Sequence, residues 1–402
     1  MGHVVVVGAG QAGLACVARL RADGFTDPIT LLGEEPHPPY QRPPLSKAYL
    51  LGEMGRERLF LRPQSFYGEH GIDLRLGQAV AAVDTGRREL TMATGGTIPY
   101  ADLVLATGSR PRRLPSAIGG DLDGVLVMRD VHDADRLAPE LIAGRRVLVV
   151  GGGYIGLEAA AVCAKRGLDV TLVEMAPRIL QRVAAPETSD YFRALHAGHG
   201  VRILEGVGLS RLLGERRVEG ALLSDGTEVA CDLVLVGVGI VPDTRLAEAA
   251  GIEVDNGIKT DAQGRTSAPQ VWACGDCASF PHGEARLRLE SVGHAIDQGE
   301  LVARNIMGAG EEYRPLPWFW SDQYDTKLQI AGLSQGYDAV HVRDTPPGRS
   351  HWYYRGDRLL AVDAVDDPRA YMIGKRLIEA GRSPSPRVVT DPGTDLKALL
   401  KG

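Results

Sequence analysis

At 402 residues the chain exceeds one ordinary hydrophobic core and calls for two or three domains. A formal net charge of −6 excludes the lysine- and arginine-rich surface that a nucleic-acid binder needs. The 50 glycines have no three-residue period, which excludes a collagen-like fibre and points to tight turns and phosphate-binding loops.

The first predicted element is a buried strand, Val4–Val7. No cationic segment precedes it, so neither a signal peptide nor an anchor is expected, and no apolar run reaches the roughly 20 residues of a membrane span. The strand enters Gly8-Ala-Gly10-Gln-Ala12-Gly13 and then a helix-period segment with Leu14, Val17, Ala18 and Leu20 on one face. A second strand, Ile29–Leu32, ends in Gly33-Glu34-Glu35. Strand, G-x-G-x-x-G, helix, strand and terminal acid form a dinucleotide-binding unit. The first glycine permits the tight turn, the second lets the backbone approach a pyrophosphate, and the third lets helix pack on strand. The acid accepts hydrogen bonds from the adenosine ribose, and the helix N-terminus offsets the phosphate charge.

Next comes Tyr40-Gln-Arg42-Pro-Pro-Leu-Ser-Lys47, a loop stiffened by two prolines. Hairpin material around Arg88–Met92 leads to a buried strand, Asp102-Leu-Val-Leu-Ala106-Thr107-Gly108, ending in small residues. The unit then recurs as Val147-Leu-Val-Val-Gly151-Gly-Gly153-Tyr-Ile155-Gly156, a helical Leu157, Ala160, Ala161, Ala164 face, and a strand, Val170–Val173, closed by Glu174. Val218–Ser224 repeats the hairpin and Asp232-Leu-Val-Leu-Val-Gly237-Val-Gly239 the small-residue crossover. One such loop in a glycine-rich chain is weak; two with complete flanks imply two dinucleotides. A carboxylate at 174 favours a free 2′-hydroxyl over a 2′-phosphate, while Arg178 and Arg182 read as an amphipathic surface.

Cys16, Cys163, Cys231, Cys274 and Cys277 are odd in number and scattered, which predicts reduced thiols and a cytoplasmic protein. In Ala273-Cys274-Gly275-Asp276-Cys277 the Gly-Asp fits a cofactor-binding turn, and the second C-x-x-C of a zinc site is missing, so the cysteines read as incidental and no metal is expected. His282 and His294 read as surface or packing residues. Strands at Leu328–Ala331, Ala339–Val342, His351–Tyr354 and Arg358–Val362, with a helix at Ala370–Ala380, close the chain as a small α+β module.

Through Tyr40–Lys47, Ala106–Gly108, Gly151–Glu158, Ala273–Cys277, Glu290-Ser-Val292 and Pro317-Trp-Phe-Trp320-Ser-Asp-Gln323, the chain resembles the two-dinucleotide flavoprotein superfamily that includes glutathione reductase. Within it, the likeness is to the NADH-dependent ferredoxin reductases of bacterial oxygenase systems, over nearly the whole length. The resemblance implies an α/β fold with two Rossmann-like domains and a small α+β C-terminal domain. FAD binding would fall to residues 1–112 and 244–317, NADH binding to 113–243, and flavin covering and partner docking to 318–402. It implies that FAD meets Gly8, Gly10, Ala12, Gly13, Glu34, Arg42, Lys47, Val80, Ala106, Thr107, Gly108, Arg129, Gly275, Asp276, Val292 and Trp320. NADH would meet Gly151, Gly153, Ile155, Gly156, Glu174 and Gly237. Lys47 and Glu158 would be a pair tuning flavin and nicotinamide, with no general base; the residues alone make Lys47 a solvated loop lysine.

Hydride would pass from NADH to FAD, then electrons singly to a two-iron two-sulfur ferredoxin serving an oxygenase such as a haem-thiolate monooxygenase. Neither nucleic acid nor membrane is expected as a partner, and a monomer or weak dimer is. Arg286, Arg288, Arg304, Arg314 and Lys327 are candidate docking cations for an acidic ferredoxin. The alternatives are a rubredoxin or nitrite reductase-type flavoprotein, an NADH oxidase, or a non-enzymatic flavoprotein of the apoptosis-inducing kind. The oxidase branch carries a redox cysteine near residues 40–47, where this chain has none.

Overall fold

Two runs of β-branched residues nucleate the two central sheets, and both become strands buried on both faces. In the computed structural model, which describes residues 2–401, Val4–Val7 is the middle strand of a five-stranded parallel sheet. Its order is Val271–Ala273, Asp102–Leu105, Val4–Val7, Ile29–Leu32, Ile72–Arg75. Val4 and Val6 enter one core while Val5 and Val7 enter another. That division explains an uninterrupted apolar run where a half-exposed strand would alternate.

The chain gathers into two units, one made of Met1–Gln41, Arg56–Arg110 and Ile240–Pro317, the other of Arg42–Gly55, Pro111–Gly239 and Trp318–Gly402. In the first, helices Gln11–Ala22 and Val292–Ile306 pack on one side of the sheet with Val4 and Val6. The antiparallel ribbon Val80–Asp84, Glu89–Met92, Thr97–Pro99 packs with Val5 and Val7.

The second unit repeats the plan. Its parallel sheet runs Arg202–Glu205, Asp169–Glu174, Arg146–Val150, Leu233–Val236, Val125–Val127. Helix Tyr154–Lys165 covers Val147 and Val149, while the ribbon Leu209–Leu213, Gly220–Leu223, Glu228–Ala230 covers Leu148 and Val150. The inferred duplication is therefore a duplication of architecture in four of the five strands; the fifth, beside the crossover strand, is Val271–Ala273 from late in the chain in the first sheet and Val125–Val127 from before the glycine loop in the second.

The same unit holds an antiparallel sheet ordered Trp318–Gln323, Thr326–Gly332, Arg358–Val365, Gly348–Arg355, Ala339–Thr345. Helix Pro368–Glu379 packs Ile373 and Leu377 against Val362 and Trp352, and Asp367 caps it by accepting the Ala370 N–H. All four strands and the helix expected in the tail are present. The fifth strand, Trp318–Gln323, was legible only as a motif; Trp318 and Trp320 share one face, and Ser321 and Gln323, on the other, are buried polar. Among the described residues no helix is long and apolar enough to cross a membrane.

Candidate functional site

In the first unit, Gly8 turns the chain at φ +116°, and a Cβ on it would stand 2.1 Å from the Ala106 carbonyl oxygen. A Cβ on Gly13 would stand 2.0 Å from the Gly8 oxygen, so helix and strand touch through this glycine. Gly10, by contrast, faces open space. It begins helix Gln11–Ala22 with no side chain capping it and no acid in the first turn. The first N–H groups of a helix lack partners within it, so this terminus suits an anion, and the fit to a pyrophosphate is good.

Around that loop, Glu34 follows the second strand with its side chain 71 % exposed, its carboxylate 3.5 Å from Arg110 Nη2. Arg110 also pairs with Asp243 at 2.7 Å, and the Thr107 hydroxyl donates to the Asp243 carbonyl at 2.6 Å. The turn Gly275–Asp276 lies against Ala12: a Cβ on Gly275 would meet the Ala12 methyl at 2.9 Å. Asp276 accepts the Ser109 hydroxyl at 2.9 Å. Gln298, fully buried, accepts the Gly275 N–H at 2.8 Å and leaves its own Nε2 without a partner among the described residues. Sequence reasoning missed Gln298, which carries no motif. Val80 opens its ribbon strand, and Val292 is the first residue of its helix, whose cap is the Ser291 hydroxyl.

The second loop copies the first. A Cβ on Gly156 would stand 2.0 Å from the Gly151 oxygen, Gly153 faces open space, and helix Tyr154–Lys165 starts uncapped. Gly237 closes on Gly156 at its back. Glu174 accepts the backbone N–H groups of Gly152 and Ala176, each at 2.7 Å, one per carboxylate oxygen. Ile155, Met175 and Val238 expose apolar surface beside the loop. Arg178 donates to the buried Ser189 hydroxyl at 2.5 Å, in keeping with a structural role.

Arg42, Lys47, Arg129 and Trp320 all belong to the second unit, whereas the other candidate FAD residues belong to the first. Arg42 donates to the Arg129 carbonyl at 3.0 Å. Trp320 stacks on Trp318, centroids 5.5 Å apart. Lys47 is not the solvated lysine its sequence context suggests. Its Nζ lies 2.7 Å from Glu158 Oε2, with the lysine side chain 17 % and the glutamate side chain 2 % exposed. Ser46 donates to the same oxygen at 2.7 Å, and Ser321 donates to Oε1 at 2.7 Å. The prolines before Lys47 set a 3₁₀ turn, Pro43–Ser46, that delivers residues 46 and 47 together.

The five thiols are buried, and burial pushes those of Cys16, Cys163 and Cys231 up to about 12 and that of Cys274 well above its usual range. They are inert as nucleophiles at neutral pH. His294 packs in the core against Phe280 and Tyr313. Three of the docking cations are committed elsewhere. Arg286 donates to the Thr260 carbonyl at 2.8 Å; Arg288 meets Glu290 at 2.6 Å and Arg304 meets Glu311 at 2.8 Å. Arg314 and Lys327 stay exposed.

Two nucleotide sheets, each with an open loop and an uncapped helix start, define a protein built to bind two dinucleotides. A family profile described as pyridine nucleotide-disulphide oxidoreductase matches residues 2–299, and one described as reductase C-terminal matches residues 318–400. The chain belongs to the pyridine nucleotide-disulphide oxidoreductase family; it is an oxidoreductase whose cofactors are FAD and a nicotinamide nucleotide. It is 45 % identical to a ferredoxin–NAD(P)(+) reductase of Sphingomonas sp, covering 99 % of this chain and 97 % of that one. It is 40 % identical to putidaredoxin reductase of Pseudomonas putida, covering 99 % and 96 %. The solved covalent putidaredoxin reductase–putidaredoxin complex matches with a TM-score of 0.96 and 39 % identity, over 99 % of this chain and 98 % of that one.

Proposed function

We propose that the chain is an NADH-dependent ferredoxin reductase, delivering electrons to a two-iron two-sulfur ferredoxin that serves an oxygenase. One observation carries the reading. The loop Tyr40–Lys47, where the disulfide-reducing branch of the superfamily keeps its cysteines, has none, and instead supplies Ser46 and Lys47 to the buried Glu158. Electrons then have no dithiol route through this loop and must leave for an external acceptor. The full-length likeness to ferredoxin reductases supports a ferredoxin in that role.

FAD, when bound, supplies the hydride-accepting ring and the single-electron steps. The chain binds and orients. The Gly8–Gly13 loop, Ala12, Glu34, Val80, Ala106, Thr107, Gly108, Gly275, Asp276 and Val292 would hold FAD, with Arg42, Lys47, Arg129 and Trp320. The Gly151–Gly156 loop, Glu174 and Gly237 would hold NADH. Lys47 carries a positive charge held in place by Glu158, a fixed electrostatic element that needs no reorganisation during reaction. The domain assignment that goes with this is FAD at 1–112 and 244–317, NADH at 113–243 and a C-terminal domain at 318–402. A cytoplasmic location and a monomer or weak dimer complete the proposal.

Purified protein should be yellow and release FAD, not FMN, on denaturation, because Glu34 stands where an adenosine ribose acid belongs. Anaerobic NADH should bleach the flavin, and an added two-iron ferredoxin should accelerate turnover. FMN in the extract, or turnover indifferent to ferredoxin, would overturn the respective half of the reading.

Coenzyme choice should reside in Glu174. Its carboxylate is fixed by two backbone N–H groups, so it presents a defined anion that repels a 2′-phosphate. Glu174→Ala should lower the NADH-over-NADPH preference in kcat/KM by about 1–3 kcal/mol, the size of one charged contact. An unchanged ratio would place the discriminating residue elsewhere.

A further inference from the structure

A buried carboxylate needs its lone pairs answered by donors. Lys47 and Ser46 answer Glu158 Oε2, and Ser321 answers Oε1. Ser321 is fully buried, and so are the two residues behind it, Gln323 and His196. Gln323 lies two positions along the same strand, hence on the same face, and donates Nε2 to Ser321 Oγ at 3.2 Å. His196, from helix Pro186–Gly198, places Nε2 2.8 Å from Gln323 Oε1, and the Tyr324 hydroxyl lies 3.2 Å from His196 Nδ1.

The hydrogens along this line are determined in sequence. Burial lowers the His196 ring from its ordinary 6.5 to about 4, so at neutral pH it carries one N–H. With the Tyr324 hydroxyl donating to Nδ1, that hydrogen sits on Nε2 and fixes the carbonyl of Gln323. The amide NH₂ then faces Ser321. A serine that accepts there has its single hydrogen directed to Glu158. All four donors point toward the carboxylate.

We propose that Ser321, oriented by Gln323 and His196, is a positioning residue for the Lys47–Glu158 pair. It holds the Glu158 carboxylate in the rotamer whose other oxygen meets Lys47. The role rests on the reading that this pair serves the reaction of NADH with the flavin. Trp320, the neighbour of Ser321, points to the opposite face of the strand, so one short segment sets both an aromatic surface and the acid.

The test uses the holoenzyme mixed anaerobically with NADH. Ser321→Ala should lower the limiting rate of flavin bleaching about ten-fold while the Kd for NADH stays within about two-fold, and Ser321→Thr should restore the rate; tenfold lies within the effect of one hydrogen bond to a charged group. A second readout is independent of rate. In the NADH-induced infrared difference spectrum, the carboxylate band that disappears in Glu158→Gln should be displaced in Ser321→Ala and return in Ser321→Thr. Gln323→Leu, which removes the orienting amide, should displace the same band if Ser321→Ala does not fold. An unmoved band and an unchanged limiting rate in these variants overturn the proposal. If instead Glu158→Gln itself bleaches at the wild-type rate, the underlying reading of the pair fails, whatever the band does.

Discussion

Lys47→Met should destabilise the folded protein by about 3 kcal/mol, the lower end of the cost of breaking a buried ion pair by removing one partner. The reason lies in what remains. Glu158 is 2 % exposed, and without the ammonium its charge would be met only by the hydroxyls of Ser46 and Ser321. Those two bonds keep the estimate at the lower end, because they answer one lone pair on each oxygen. Removing both charges is a different matter. The double variant Lys47→Met, Glu158→Gln leaves a neutral amide that still accepts and donates, and should recover most of the loss. Urea denaturation followed by tryptophan fluorescence measures this, since Trp318, Trp320 and Trp352 lie in the same unit as the pair. A single variant within about 1 kcal/mol of wild type would mean that the carboxylate is hydrated and the pair only a surface contact. The same Lys47→Met protein should bleach more slowly with NADH, which separates the electrostatic role from a structural one when compared at a urea-free, fully folded condition.

The parts of this molecule that were legible beforehand are those whose physics is local. A strand, a tight glycine turn and a helix start lie within a dozen residues, so Gly8 to Gly13 and Gly151 to Gly156 announce the two nucleotide sheets. The acids expected to meet a ribose come roughly 20 residues after the glycine loop, at the end of the second strand, where Glu34 and Glu174 stand. The Lys47–Glu158 pair was available only through resemblance, because the residues joined are more than a hundred positions apart and a lysine after two prolines looks solvated in isolation. Ser321 and Gln323 were visible only as members of the Trp318–Gln323 motif, with no role attached to either, and His196 had no signal at all. A serine, a glutamine and a histidine in ordinary strand and helix contexts become a line only when the fold brings residues 158, 196 and 321 together. The docking cations illustrate the converse, since three of the five have partners inside this chain. Positive charge is visible in sequence, but the partners that occupy Arg286 and Arg304, a carbonyl at residue 260 and the carboxylate of Glu311, are not.

Acid should unfold the protein steeply between about pH 6.5 and 4, losing about 6 kcal/mol over that window, a large share of the roughly 5–15 kcal/mol that stabilises a typical domain. His196, His294 and His351 are each lowered from the ordinary 6.5 to about 4 by burial. A base whose folded pKa is depressed contributes stability that is fully present above its unfolded value and lost as pH falls through the folded one. Each ring can therefore cost about 3 kcal/mol by pH 4. The geometry supplies the cause. His351 Nδ1 faces the Thr188 hydroxyl at 2.7 Å, and that hydroxyl spends its hydrogen on Asp363 at 2.8 Å, so Nδ1 carries the ring hydrogen. Protonation must then place a second hydrogen on Nε2, which is buried with no partner among the described residues; His294 Nε2 is in the same position. Asp363 acts with the opposite sign. Burial raises it from 3.8 to about 6, so its contribution is present below 3.8 and disappears as pH rises through 6, offsetting about one histidine on the way down. Urea midpoints measured from pH 7.5 to 4.5 should fall accordingly, and His351→Gln, which cannot take a proton, should flatten the slope by about one proton's worth, about 1.4 kcal/mol per pH unit. Midpoints that hold constant down to pH 4.5 in the wild type would show that these rings can be charged in the folded state at little cost.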